Sequence, residues 1–116
     1  MDLGIFYMAL SVKDIAVSKK FYEGLGFAAV ENGGSVEEKW LVMANGTNKI
    51  GLFQDMFPQN TLTFNPTNAR EIYENLMDAG YAFSHVSENK GDDKSPFYMA
   101  LVDPDGNPIL IDQEVK

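Results

Sequence analysis

The side chains able to do chemistry are few and scattered. His85 is the only histidine, Arg70 the only arginine, and cysteine is absent. A site built on several histidines is therefore impossible, as are a thiolate nucleophile and a disulfide framework. A Ser-His-Asp arrangement would need His85, and no spacing puts a serine or aspartate beside it, so a structural or surface role is expected. Arg70 lies in a helical segment, where a bidentate clamp for an anionic substrate finds no support. Asp103 and Asp105 in "DPDG" could suggest calcium, yet a tight turn uses Asp, Pro and Gly for backbone reasons alone. "GLGF" (24–27) contains G-x-G but ends a helix instead of opening one, so the dinucleotide reading fails. No phosphate loop or G-x-S-x-G elbow is present. Tyr7 and Asp112 would make an acid–base pair only if two strands turned them to face each other.

The elements that would position these groups come in two similar runs. "IFYMALSV" (5–12) alternates as a strand, then "KDIAVSKKFYEGLGF" switches to helical spacing. Asp14 is the expected N-cap. Val17, Phe21 and Leu25 share one helix face with Tyr22 beside them, and Gly26 ends the helix. "FAAVE" reads as a strand and "GGSVEE" as a loop. "KWLVMA", the turn "NGTN" and "KIGLFQ" make a hairpin. The second run opens with "TLTFNP". Asn68 then caps "AREIYENLMDAG", with Glu71 at the capping-box position and Ile72, Leu76 and Ala79 on one face. Gly80 closes that helix as Gly26 closes the first. "YAFSHV" follows as a strand, "SENKGDDKSP" as a polar loop, and "FYMALV", "DPDGN" and "PILIDQ" as a last hairpin. The expectation is one domain over 1–116 with pseudo-repeats at about 1–57 and 58–116, each βαβββ.

Composition bounds the partners. The 116 residues carry nine basic and seventeen acidic side chains, for a net charge of −8. That sign repels phosphate backbones and anionic membrane surfaces, so neither nucleic acid nor membrane is expected as a partner. No stretch approaches the roughly 18 apolar residues of a membrane span. The N-terminus lacks the basic and small-residue marks of a signal peptide. Cytoplasm is the expected compartment.

Tandem βαβββ units resemble the vicinal oxygen chelate superfamily: glyoxalase I, bleomycin resistance proteins, fosfomycin resistance enzymes and extradiol dioxygenases. The residues that carry the resemblance are "LSVKDIAVSKKFYEGLGF" (10–27) and "LVDPDGNPILI" (101–111). It implies an α+β fold, a half-open eight-stranded cup with helices on its outer face, a small-molecule cavity inside, and a homodimer. Metal-dependent members place a His, Gln or Glu on each of four strands. Aligned by motif, these positions fall on Tyr7, Gly51, Thr61 and Leu110, none a normal ligand for such ions. The residues on either side of each do not restore a site; only Asn60 offers even a weak oxygen donor. No metal and no cofactor are expected.

Strand alternation supports that register independently. It puts Met8, Leu10, Val12, Ile50, Leu52, Leu62, Phe64, Ile109 and Ile111 on the helix side, all apolar. The cavity side then carries Tyr7, Ala9, Ser11, Gly51, Phe53, Thr61, Thr63, Asn65, Leu110 and Asp112. Trp40 and Val42 join them if the hairpin loop has an even number of residues. Stacking by Trp40, Phe53 and Tyr7, with hydrogen bonds from Thr61, Thr63 and Asn65, suits a neutral or cationic, partly aromatic ligand. Three functions compete: metal-independent small-molecule binding, as in bleomycin resistance proteins; a lyase, isomerase or dioxygenase with a relocated or metal-free site; and an interaction domain whose useful surface is its dimer. The first is the leading reading. The loop over 87–96 could cover the cavity.

Overall fold

The computed structural model describes residues 1–88 and 96–114. Eight strands and two helices follow in the order β1 (Ile5–Val12), α1 (Ile15–Gly24), β2 (Ala28–Ser35), β3 (Trp40–Asn45), β4 (Asn48–Gln54), β5 (Thr61–Asn65), α2 (Ala69–Asp78), β6 (His85–Val86), β7 (Tyr98–Val102) and β8 (Pro108–Asp112). The class is α+β, as the sequence led us to expect. The chain divides into two compact units: a first over Tyr7–Thr61, and a second of Met1–Phe6 with Leu62–Lys116. The repeat read in the sequence, βαβββ twice, is visible in the order of the elements.

In the first unit β1 pairs in parallel with β4, β4 antiparallel with β3, and β3 antiparallel with β2. The second unit repeats this with β5 parallel to β8, then β7 and β6 antiparallel. Each helix covers one face of its own sheet. Ile15, Leu41, Met43 and Leu52 form the core under α1, with Leu10, Val12, Tyr22 and Ile50 against it. Ala69, Ile72, Phe97, Met99, Leu101 and Ile111 form the core under α2, joined by Tyr73, Leu76 and Ile109.

The helix ends are determined by local chemistry. The Asp14 carboxylate accepts from the Ala16 and Val17 amides at 3.1 and 3.3 Å. Asn68 Oδ1 accepts from the Glu71 amide at 3.2 Å, and its Nδ2 donates to Glu71 Oε2 at 2.9 Å. These are the expected N-caps, and they satisfy amides that the helix itself leaves without acceptors. At the other ends Gly26 and Gly80 take φ of 98° and 86°, a left-handed conformation that side chains resist. A further device was not anticipated. Gln54, at the end of β4, accepts from the first helical amide of α1 at 2.9 Å; Gln113, just after β8, does the same for α2 at 2.7 Å.

Several expectations need correction. "GGSVEE" is not wholly a loop, because β2 runs on to Ser35 through a register shift between Ala29 and Gly34 that lets the strand bend and keep pairing with β3. "YAFSHV" contributes only His85 and Val86 to a strand. Phe83 turns instead to Tyr73 of α2, ring centroids 5.1 Å apart. Ala79 is exposed at the end of α2, whose buried side is Ala69, Arg70 and Ile72. The stripe Val17, Phe21, Leu25 is 65, 64 and 59% exposed. Ile15 and Tyr22 are the residues of α1 that pack on the sheet, with Gln54 bonded to the helix start, so the longest apolar row in the helix faces outward.

Candidate functional site

In each unit the sheet face away from the helix is the candidate surface, and the two faces differ. On the first, the two-residue turn between Asn45 and Asn48 sets Trp40 opposite Phe53 and Val42 opposite Gly51. Ala9 pairs with Gly51 on the other side. Trp40 and Val42 thus share this face, as an even loop requires. Tyr7, Ala9 and Phe53 form a small core with Trp40, Val42 and Phe57 packed on it. The rings of Tyr7 and Phe53 lie near parallel with centroids 6.4 Å apart, and Phe57 meets Phe53 edge-on at 5.0 Å. Tyr7 and Phe53 are only 6 and 8% exposed.

Gly51 is the decisive position here. A Cβ built on it would lie 2.6 Å from Cε2 of Phe53 and 2.7 Å from Cε2 of Tyr7. The place that the motif alignment gives to a ligating side chain is filled by two aromatic rings. Thr61, the third such position, donates its hydroxyl to the Gln59 carbonyl at 3.0 Å. Glycine, threonine and tyrosine here, with Leu110 in the second unit, do not make a donor set for a divalent ion. Among the described residues no group of three or more His, Asp or Glu side chains comes together as a metal site would require.

The second unit's face is more polar. Thr63 is fully buried and pairs in register with Leu110. Asn65 donates through Nδ2 to the backbone carbonyl of Asp112 at 2.9 Å, so this side chain ties β5 to β8 instead of reaching outward. Asp112 stands opposite Tyr98, and Leu110 opposite Ala100. The Tyr98 hydroxyl lies 3.0 Å from Nε2 of His85, and the two rings stack with centroids 5.4 Å apart. Burial pushes the Asp112 carboxyl up to about 6 from the usual 3.8.

Sequence reasoning placed Asp112 on this face but did not name its neighbours Tyr98 and His85. Tyr98 alternates with the buried Met99 and Leu101, so its side could have been read by the same parity that placed Asp112. His85 gave no such signal, since its strand is two residues long. The "DPDGN" turn is a backbone device: Asp103 accepts from the amides of Asp105 and Asn107 at 2.9 and 2.8 Å, and from Asn107 Nδ2 at 2.8 Å. Those bonds hold its carboxyl below the usual carboxylate range. The loop expected to cover the cavity falls largely at 89–95, outside the described residues.

A cleft of about 410 Å³ lies on the opposite side of the first unit, between α1 and the end of β1, lined by Leu10, Val12, Val17, Phe21 and Tyr22 among others. Two of its polar neighbours, Ser11 and Asn60, are already engaged. The Ser11 amide donates to Asn60 Oδ1 at 3.0 Å and the Ser11 hydroxyl to the Phe57 carbonyl at 2.7 Å.

Comparison with known proteins agrees with this architecture. A structure of a glyoxalase/bleomycin resistance protein/dioxygenase superfamily member from Vibrio splendidus 12B01 superposes with a TM-score of 0.67 at 14% identity, covering 94% of this chain and 97% of that one. A structure described as an NAD-dependent benzaldehyde dehydrogenase from Legionella pneumophila gives 0.69 at 20%, over 96 and 99%. Methylmalonyl-CoA epimerase from Mycobacterium tuberculosis gives 0.68 at 12%, over 97 and 89%. At such identities these likenesses speak to the fold alone. No curated protein matches the chain. The family model for the Glyoxalase/Bleomycin resistance protein/Dioxygenase superfamily matches residues 4–111, and the chain belongs to that superfamily.

Proposed function

We propose that this chain is a metal-independent small-molecule-binding protein, and that its ligand is neutral or cationic and partly aromatic. The observation that carries this reading is Gly51. A metal-dependent member needs a donor there, and the space is taken by the rings of Tyr7 and Phe53. With Tyr7 and Phe53 buried against each other, the ligand-facing groups are Asp112, Leu110 and Tyr98 on the second unit's sheet face. The proposal includes a homodimer in the cytoplasm, for which the exposed Val17, Phe21 and Leu25 offer apolar surface. No helix among the described residues is long and apolar enough to cross a membrane.

Calorimetric titration of chelator-treated protein with nickel, zinc, manganese and ferrous iron tests it. No binding at micromolar concentration is the expected result. One ion bound per chain would overturn the reading and return the protein to the metal-dependent members.

A second reading, a metal-free lyase or isomerase, draws on the His85–Tyr98 hydrogen bond with Asp112 on the neighbouring strand. These are groups that can hold and move a proton. Chemical turnover of a bound ligand, lost on Asp112→Asn, would favour this reading over simple binding.

A further inference from the structure

Asp112 is a half-buried carboxylate with no protein donor among the described residues. Ile111, next to it, is in the core under α2, so Asp112 points to the face away from the helix. Among the described residues no hydrogen bond or ion pair reaches its carboxylate oxygens. Asn65, the nearest amide on β5, is spent on the Asp112 backbone carbonyl at 2.9 Å. Partial burial strips some of the water from this carboxylate and gives it no protein donor in exchange, which costs free energy that a bound donor would restore.

What stands opposite is an aromatic ring held still. The Gln113 amide donates to the Phe97 carbonyl at 2.9 Å, which makes that pair a hydrogen-bonded one in the β7–β8 ladder. The next pair, Tyr98 with Asp112, is therefore non-hydrogen-bonded, the kind in which side chains approach most closely. Their Cβ atoms are separated by roughly 4.5–5.5 Å. Tyr98 cannot satisfy Asp112 by itself, because its hydroxyl is engaged with His85 Nε2 at 3.0 Å. That bond and the stacked imidazole fix the ring in place.

We infer that Asp112 and Tyr98 together receive the protonated amine of a small ligand, the ammonium lying between the Asp112 carboxylate and the ring of Tyr98. The inference rests on the small-molecule-binding reading and names the group by which that ligand is anchored. An ammonium supplies both the charge and the donors that the carboxylate lacks. Over the ring face it gains a cation–π attraction, which operates within about 6 Å of a ring centroid. A ring already fixed by His85 loses little freedom on binding. The net charge of −8 draws cations toward the chain. A bare divalent ion is a poorer fit, since it needs several hard donors and Asp112 brings one carboxylate.

The test is calorimetric titration at neutral pH with 1-naphthylmethylamine, a cation there, and with its neutral counterpart 1-naphthalenemethanol. The amine is expected to bind one per chain at least about tenfold more tightly than the alcohol, a difference of a size that charged hydrogen bonds supply. Asp112→Asn keeps the shape and should bring amine affinity down to that of the alcohol while leaving the alcohol unchanged. Tyr98→Leu should weaken the amine more than the alcohol. Near-ultraviolet circular dichroism of each variant confirms that it is folded. Equal binding of amine and alcohol, or full amine affinity in Asp112→Asn, overturns the inference and leaves the binding reading standing. Binding of neither probe overturns both.

Discussion

Phe53 and Asp112 occupy matching places in the two units. Each lies on the last strand of its βαβββ run, two residues beyond the position where metal-dependent relatives carry a ligand, Gly51 in one case and Leu110 in the other. Each faces an aromatic residue across an antiparallel pair, Trp40 for Phe53 and Tyr98 for Asp112. The first unit fills its frame with rings and closes the face. The second puts a half-buried carboxylate at the equivalent point, opposite a tyrosine that is itself hydrogen-bonded to a histidine. The same backbone is used once for packing and once for polar groups that packing alone would not select. Packing and polar chemistry are divided between the repeats at this position.

That division can be broken by substitution, and the largest effect belongs to the packed face. Phe53→Ala removes a ring that touches Tyr7 and Phe57 and leaves a cavity beside Gly51, for an expected loss of about 3–5 kcal/mol. Urea denaturation measures it. A loss under about 1 kcal/mol would mean that this face is not a core.

The matching change in the second unit should have the opposite sign. The folded chain keeps the Asp112 proton between the usual 3.8 and about 6, where the unfolded chain has already lost it. The native state binds more protons in that window, so stability falls as pH rises through it, and the full cost is present above it. Asp112→Asn should therefore stabilise the protein by roughly 1–3 kcal/mol near pH 7.5, and the gain should vanish toward about pH 4. Paired urea titrations across that range decide the matter. A variant less stable than its parent at neutral pH would show that the carboxylate has a partner in the folded protein.

The smallest effect compares the two glutamines that hold the helix starts. Gln113→Ala strands the buried Ala69 amide and should cost about 2 kcal/mol. Gln54→Ala acts on the Ile15 amide, in a less buried setting, and should cost about 1 kcal/mol. Equal losses would say that the two helix starts are equally shielded from water.

The chain's local chemistry was legible because it depends on neighbours in sequence. Asp14 and Asn68 cap helices, and Gly26 and Gly80 end them, for reasons contained within one or two turns. Strand parity placed Tyr7, Gly51, Phe53, Leu110 and Asp112 on the faces away from the helices, since a two-residue period needs no long-range information. The repeat of these signals identified the superfamily. That Tyr7, Gly51, Thr61 and Leu110 are not usual metal ligands follows from residue types alone.

Tertiary structure decided what each face became. Sequence could say that Tyr7, Gly51 and Phe53 share a side, but only packing shows the two rings occupying the space over Gly51. It could give α1 an apolar stripe, but that Ile15 and Tyr22 meet the sheet instead is a matter of packing, with Gln54 holding the helix start from a strand 39 residues away in the chain. His85 and Tyr98 are 13 residues apart, and only the pairing of β6 with β7 turns one toward the other. Side-chain identity and strand parity are properties of the chain; which groups are left without partners is a property of the fold, because it depends on every neighbour that comes within a few ångströms.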